Sequence, residues 1–395
     1  MRKQKQSLRE VLCILAGASA LAGCVEEFEA DLPASDTDLL VVEGTICSSQ
    51  QNEFVLSRAL PLNSSQEFVP VKNASVAVRG SDGSEYVAQL SDASYTCYVA
   101  ELAADATYYL HIEVDGEVYE SVPQKPLPTE KIADVCGVQY DGVSDIDVLV
   151  TPDAPIEPGR TNYYSWRCDE TWEVRPRYRT SIYYNIETKT VEMKENQFPE
   201  RGWKDATGAA TMVGASSSYE GQHIQKLKLY GIGWDNERVR YRYSGLVQQR
   251  AITKAEYEYE LARRQAGSDM GGLFAPQPSA LPTNIHCLTS QKRVIGFVGC
   301  SMNTSRYRFF LNASDFSIAR QPAIDTRKWM RNPSAATCLE LVKTGYFLCE
   351  WEDATMSSDG SLWTAWATRS QLDVRYYGAY TEAPDFWSLQ EDVSY

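Results

Sequence analysis

The strongest constraint on this chain is a series of short segments in which apolar and polar residues alternate with period two, separated by turn residues. Leu110-His111-Ile112-Glu113-Val114 alternates and then meets Asp115-Gly116. Asp-Gly accepts the positive φ angles of a tight two-residue turn, so this dipeptide between alternating runs predicts a β-hairpin. Ala74-Ser75-Val76-Ala77-Val78 leads in the same way to Ser81-Asp82-Gly83, and Leu39 to Gly44 and Phe54 to Arg58 read as further strands. Several short strands punctuated by turns predict a small antiparallel sandwich over residues 38–122, immunoglobulin-like in its layering.

Pro123-Gln124-Lys125-Pro126-Leu127-Pro128 interrupts that pattern. Three prolines in six residues predict an extended, stiff connector, which places a domain boundary at 123–128. Residues 129–395 read as a larger β-rich C-terminal domain with one short helix. Its strand candidates are Asp147 to Val150, the aromatic runs Tyr163 to Trp166 and Ser181 to Tyr184, Arg240 to Gln249, Val294 to Val298 and Tyr307 to Phe310. Residues 193–222 are polar and rich in Gly and Ser, and read as an irregular excursion. The helix is expected over 254–266. Thr253-Lys254-Ala255-Glu256 has the spacing of a capping box, Tyr257 and Leu261 share a face, Glu260 reaches Arg264, and Gly267 is a natural stop. The loop that follows carries Gly271, Gly272, Leu273, Phe274, Pro276 and Pro278. It is a candidate partner surface, although Pro and Gly there also suit a plain helix-to-strand connection.

The N-terminus bears on location. A basic start (Arg2, Lys3, Lys5, Arg9) precedes the apolar run Val11 to Ala20 and the small residues Leu21-Ala22-Gly23 before Cys24. That order is a secretory signal, and the apolar run is shorter than the roughly 20 residues that span a bilayer. A Cys directly after Leu-Ala-Gly resembles a bacterial lipobox. The resemblance implies cleavage after residue 23, lipid on Cys24, and a tether over 24–37. Val25-Glu26-Glu27-Phe28-Glu29 resembles the acidic signal that sends Bacteroidota lipoproteins to the outer cell surface, and it also suits a solvated tether.

The composition gives 395 residues with a net charge of −15; losing four basic residues and one acidic residue with the signal takes it to −18. So acidic a chain is a poor nucleic-acid ligand, because phosphates need compensating Lys and Arg. Eight cysteines follow Cys24: Cys47, Cys97, Cys136, Cys168, Cys287, Cys300, Cys338 and Cys349. An even count in an oxidising compartment favours disulfides. Cys47–Cys97 is the favoured pair, with Cys287–Cys300 and Cys338–Cys349 as hairpin-spanning candidates, although spacing does not fix connectivity. No zinc, dinucleotide, P-loop or nucleophile-elbow motif occurs, and His111, His223 and His286 are the only histidines. The expectation is therefore a non-enzyme with no cofactor and no metal. Asp141, Asp145 and Asp147 lack calcium-loop spacing and read as a solvated turn. Trp203, Trp234, Tyr183, Tyr184, Trp363 and Trp366 are candidates for an aromatic ligand face, with core packing the more ordinary role of each.

Several segments together resemble one family: the lipobox, Leu40 to Ile46, Trp166 to Glu173, Arg242-Tyr243-Ser244 with Val247-Gln248-Gln249, Gly272 to Ser279 with Asn284-Ile285-His286, and Pro384-Asp385-Phe386-Trp387. The chain resembles the Bacteroidota lipoproteins grouped as domain of unknown function 4249. The resemblance implies a carboxypeptidase-regulatory-like first domain and a gene neighbourhood with TonB-dependent outer-membrane transporters. It further implies an accessory lipoprotein of the outer membrane, facing the cell exterior, that binds a peptide, glycan or other nutrient. An adhesive or structural surface protein is the alternative, and an exported hydrolase a more distant one. The chain departs from the family pattern in its tail. Val374 to Tyr380 carries no cysteine where the family often has a closely spaced pair.

Overall fold

The computed structural model describes residues 39–59, 69–156, 159–208, 211–268, 281–317, 325–353, 355, 357–358 and 360–387. The protein is mainly β. The first seven strands are β1 (Leu40–Cys47), β2 (Gln50–Arg58), β3 (Ser75–Gly80), β4 (Glu85–Ser91), β5 (Ser94–Val99), β6 (Tyr108–Val114) and β7 (Glu117–Ser121). The Asp-Gly turn falls between β6 and β7, with Asp115 at φ 53° and Gly116 at φ 80°, the left-handed pair that such a turn requires. Alternation sends Leu110, Ile112 and Val114 into a core shared with Val42, Phe54, Leu56, Val76, Val78 and Tyr95.

The sheet does not stop at the prolines. Among the described residues it has nine strands, and the last two come from far along the chain: β17 (Ile285–Cys287) pairs with β7, and β18 (Val294–Ser301) pairs in parallel with β1 from Leu40↔Val294 to Cys47↔Ser301. Val294, Val298 and Cys300 bury themselves in the first core. A boundary drawn at 123–128 therefore cuts off two strands of the first sheet. Nor does the connector run free. Gln124 exchanges both backbone hydrogen bonds with Tyr108, and Leu127 N–H donates to Cys300 O at 3.2 Å while Leu127 O accepts from Met302 N–H at 2.8 Å. Its prolines occupy positions that donate no ladder bond, so the segment lies along the sheet as a partial strand.

β17 and β18 end the sheet order, and side chains bridge them in place of a ladder. Asn284 Nδ2 donates to Val298 O at 2.9 Å, Asn284 Oδ1 accepts from Val298 N–H at 2.9 Å, and Thr283 Oγ1 donates to Gly296 O at 2.8 Å. The sheet is thus nearly closed.

The second lobe packs two sheets face to face. One holds β8 (Ile132–Val138), β9 (Ile146–Pro152) and β15 (Leu227–Ile232). The other holds β10 (Tyr163–Val174), β13 (Gly202–Ala206), β16 (Arg242–Ile252) and β19 (Ser305–Asn312), with β14 (Met212–Ala215) also against β10. Ile146, Val148 and Val150 from one meet Trp166, Tyr243, Val247 and Phe309 from the other. β13 and β14 lie within 193–222, so that stretch is more regular than its Gly and Ser content suggests; β10 is long enough to template both.

A smaller unit combines β20 (Lys328–Arg331), β21 (Tyr346–Glu352) and β22 (Trp363–Thr368) with the hairpin of β11 (Ile182–Asn185) and β12 (Thr190–Met193). Three α-helices occur among the described residues where one was expected: α1 (Lys254–Ser268), α2 (Ala335–Lys343) and α3 (Arg369–Leu372). α2 starts at Ser334, whose hydroxyl accepts from Thr337 N–H at 3.1 Å; Thr368 and Gln371 form a complete capping box on α3.

The expected helix is α1, with two altered contacts. Thr253 Oγ1 accepts from Glu256 N–H at 3.1 Å as a cap, but the Glu256 carboxylate leaves the box for Arg250 at 2.5 Å. Glu260 pairs with Arg263 at 2.8 Å, one residue short of Arg264. The helix joins the lobes: Tyr257 stacks on Tyr163 of β10 at 5.1 Å, Tyr259 on Phe297 of β18 at 5.6 Å, and Arg263 lies 3.7 Å from Glu43 of β1.

All eight cysteines after Cys24 are free thiols, so none of the expected disulfides is present. β2 lies between β1, which holds Cys47, and β5, which holds Cys97. Two inter-strand spacings amount to about 9–10 Å, beyond disulfide reach. Cys338 packs with Leu348 in one cluster, whereas Cys349, one residue further along β21, packs on the opposite side beside Phe198 and Ala367. Cys287 turns to Ser290 Oγ at 3.2 Å while Cys300 is enclosed in the first core.

Candidate functional site

One concavity lies where the first sheet fails to close. It has a volume of about 350 Å³ and is bounded by β17, the connecting loop 288–293 and the start of β18. Asn284 and Thr283 bridge one end of the two strands and the loop closes the other. Ile285 and Val294 form its floor as members of the first core. Lys292, Arg293 and His286 stand on its wall with Thr283, Ser290 and Gln291.

Glu117, at the start of β7, organises that loop. It accepts hydrogen bonds from Thr289 Oγ1 and from Cys287 Sγ at 3.5 Å, and Lys292 Nζ stands 3.1 Å away. The Thr289 hydroxyl and then the Lys292 ammonium pull its carboxyl down to about 2. Leu288 N–H donates to Val118 O at 2.7 Å and fixes the loop's other flank. Partial burial works to raise the Cys287 thiol, but the hydroxyls of Ser290 and Thr289 outweigh it and leave the pKa lowered. The other described cysteines are shifted upward, chiefly by burial.

A second cleft of about 200 Å³ opens between β10 and β15 in the second lobe. It leads to a hydrogen-bonded chain from Cys168 Sγ to Tyr230 OH at 3.1 Å, on to Tyr243 OH at 2.7 Å, and from Tyr243 OH to Glu170 Oε1 at 2.7 Å. Arg238 donates to Glu170 Oε2 at 2.9 Å and lies over the Trp172 ring. Burial pushes the Cys168 thiol up to about 11 and both tyrosines well above their usual range. All three stay protonated at neutral pH, which suits a fixed polar network better than a nucleophile.

Two of the three histidines are hydrogen-bonded to other groups. His111 Nδ1 meets Glu120 Oε1 at 2.8 Å and Nε2 meets Glu113 Oε1 at 3.0 Å; His223 Nε2 meets Pro152 O at 2.9 Å. His286 lines the first concavity. Asp141 caps its own turn by accepting from Val143 and Ser144 N–H, and Asp147 pairs with Lys228 at 2.6 Å. No group of three or more acidic, His or Cys side chains among the described residues has metal-binding geometry.

The aromatic candidates do not assemble into one face. Trp203, Trp366 and Tyr184 are core residues, while Tyr183, Trp234 and Trp363 are half-buried on separate elements. Cys24 and the loop from Gly271 to Pro278, with Gly272, Leu273, Phe274 and Pro276, lie outside the described residues. The sequence reading missed the slot between β17 and β18. The signal for it was Lys292-Arg293, an isolated basic pair between two apolar segments of an acidic chain.

Several of the described segments that carried the family resemblance have structural roles here. Trp166 Nε1 donates to Gln249 Oε1 at 2.8 Å and Gln248 Nε2 donates to Asp169 Oδ2 at 2.9 Å, both between β10 and β16. Asn284 bridges the seam. Trp387 of the Pro-Asp-Phe-Trp stretch seats against Trp203 and Phe310 at 6.2 and 5.7 Å, with Arg242 over its ring. A nearly closed β-sheet joined by one helix to a second β lobe defines a β-rich scaffold with a ligand-sized slot. The family described as domain of unknown function (DUF4249) has a model that matches residues 25–307, and the chain belongs to that family. No curated protein matches it.

Proposed function

We propose that this protein is a lipid-anchored, non-catalytic binding component of a TonB-dependent nutrient-uptake system, held at the outer membrane with its folded part toward the exterior. The observation that carries the binding reading is the slot between β17 and β18. It is of ligand size, and Glu117 holds its loop through Thr289 and Lys292, which limits the ordering entropy that binding would cost. The anchor rests on the lipobox ending at Cys24, and the transporter on the family resemblance. A lipid anchor confines the slot to a layer beside the membrane, which raises its effective concentration at a membrane partner.

The test is a mild-detergent pull-down of the tagged, lipidated protein from native membranes, followed by mass spectrometry. A TonB-dependent transporter in stoichiometric amount is the expected result. Its reproducible absence, with the bait intact and accessible to external protease, would overturn a stable uptake complex and favour adhesion.

A further inference from the structure

We propose that the face of the β20–β22–β21 sheet turned away from Trp366 is a glycan-binding platform, on which a neutral oligosaccharide stacks a pyranose ring against Trp329 and donates hydroxyls to Glu350 and Glu352. The platform is separate from the slot between β17 and β18 and goes beyond the binding reading above.

Strand register assembles the platform. Directly opposed residues on neighbouring strands share a face. Trp329 of β20, Ala365 of β22 and Glu350 of β21 stand in one row, and Arg331, Trp363 and Glu352 stand in the next. Trp366 and Leu348 belong to the other face, where they enter a core with Cys338 and Leu341. Trp329 and Trp363 are therefore diagonal neighbours, a relation that sets side chains about 7–8 Å apart, with only the methyl of Ala365 beside them. Further along the same face, Phe347 packs under Phe198 at 5.0 Å, so the open part is the end that carries the two tryptophans.

Trp329 is 41% exposed, yet its ring is held in place. Its Nε1–H donates to Asp325 Oδ2 at 2.8 Å, and the Arg327 guanidinium lies 5.0 Å from its ring and 4.8 Å from that of Tyr178. Arg327 in turn donates to Asp325 through Nε and Nη2, at 3.0 and 2.7 Å, and to Glu350 Oε1 at 2.5 Å. The one polar atom of the indole is thus satisfied. What remains for a ligand is a flat apolar ring in a set orientation, which limits the ordering entropy of binding.

The surroundings select the ligand. Asp325 and Arg327 neutralise each other, so this ion pair calls for no ionic ligand. The guanidinium against Trp329 already draws on the negative face of the ring system, which disfavours a second cation. Glu350 Oε2 and both carboxylate oxygens of Glu352 accept no hydrogen bond among the described residues, and both side chains are exposed. Carboxylate oxygens only accept, so a matching ligand carries donors beside an apolar surface. A pyranose has this division, with C–H groups on its ring faces and hydroxyls around its rim. A proline-rich peptide brings apolar rings but no N–H at proline, and an acidic sugar meets two like charges.

The experiment is isothermal titration of the full lipidated protein, in a detergent without sugar headgroups. The probes are cellohexaose, maltohexaose, xylohexaose and mannohexaose, with hexaproline and choline as comparators. At least one glycan is expected to bind about ten-fold or more tightly than either comparator, a difference of about 1.4 kcal/mol. Because the ligand is uncharged, its affinity should change by less than about two-fold in 1 M salt, where the Debye length is about 3 Å. Trp329→Ala should lower it about ten-fold or more, and Trp329→Phe, which keeps a ring, should restore part of the loss. Glu352→Ala, on an exposed residue outside the Asp325–Arg327 pair, should lower it about three-fold or more through a lost hydrogen bond, and keeps the test decisive if Trp329→Ala folds poorly. Transporter capture by Trp329→Ala should match the parent's, so that failure of the platform and failure of the uptake reading stay distinguishable. No binding of any of the four glycans, equal binding of a comparator, or full affinity in both Trp329→Ala and Glu352→Ala would overturn the assignment.

Discussion

Arg250 and Glu256 offer the sharpest test of how the lobes are joined. Arg250, on β16, places Nη2 2.5 Å from Oε1 of Glu256 in the first turn of α1, and their side chains are only 16% and 5% exposed. The pair presses on β18: a Cβ on Gly299 would lie 2.5 Å from Glu256 Oε2 and 2.7 Å from Arg250 Nη1. Arg250→Met would strand the carboxylate in this enclosed position, and breaking one side of a buried pair costs about 3–5 kcal/mol. Replacing both partners with apolar residues of similar volume removes the uncompensated charge, so Arg250→Met with Glu256→Met should return to within about 1 kcal/mol of the parent, because such exchanges are often neutral or stabilising. Arg250 Nη1 has no hydrogen-bond partner among the described residues, which favours the double replacement further. At about 2 °C per kcal/mol for a chain of this size, the single variant should melt about 6 °C or more below the parent. Differential scanning calorimetry of the parent, both single variants and the double completes the cycle, and with about 3 kcal/mol or more lost in each single variant the expected coupling is about 5 kcal/mol or more. A single-variant cost under about 1 kcal/mol, or a double variant as unstable as Arg250→Met, would refute the idea that a desolvated charge pair fastens α1 between the lobes.

Four further outcomes are expected. Trp387→Ala removes a ring that is 4% exposed and seated on Trp203 and Phe310, and should cost about 3–5 kcal/mol in urea unfolding; an unchanged midpoint would mean that the C-terminal segment is not part of the cooperative unit. Gly296→Ala places a methyl 2.0 Å from Val42 O at φ 135°, and the backbone strain alone is worth about 1–3 kcal/mol, so loss of β1–β18 amide protection should accompany a lower midpoint. Alkylation mass spectrometry without reductant should find all eight cysteines after Cys24 as thiols once the chain is unfolded, with Cys287 modified first in the native state; any disulfide-linked peptide would contradict the structure. The folded Glu117 carboxyl lies at about 2, below its ordinary 4.5, so its hold on Thr289 and Lys292 is complete above about 4.5 and is lost as the pH falls toward 2. Loop amide exchange that rises with a midpoint near 4.5 instead would show that the contact is absent in solution.

What the sequence alone determined is local. Alternation and Asp115-Gly116 fixed the β6–β7 hairpin, because a period of two and a positive-φ turn are properties of neighbouring residues. Thr253 fixed the start of α1 for the same reason. The mainly β class and the family were legible as well, the class from pattern and the family from segments whose Trp, Gln and Asn side chains bond across strands. Tertiary structure decided what joins distant parts of the chain. The prolines at 123–128 do break local regularity, but nothing near them reveals that Val294 to Ser301 pairs in parallel with β1. Glu256 has capping-box spacing, yet Arg250 takes it, since a buried cation gains more from a carboxylate than an exposed helix N-terminus does. The cysteines count as an even set in the sequence, but strand order and side-chain alternation hold the proposed partners apart. The slot exists only because β17 and β18, the two ends of one sheet, approach without forming a ladder. Such a gap depends on non-local register, and register is set by the buried core as a whole.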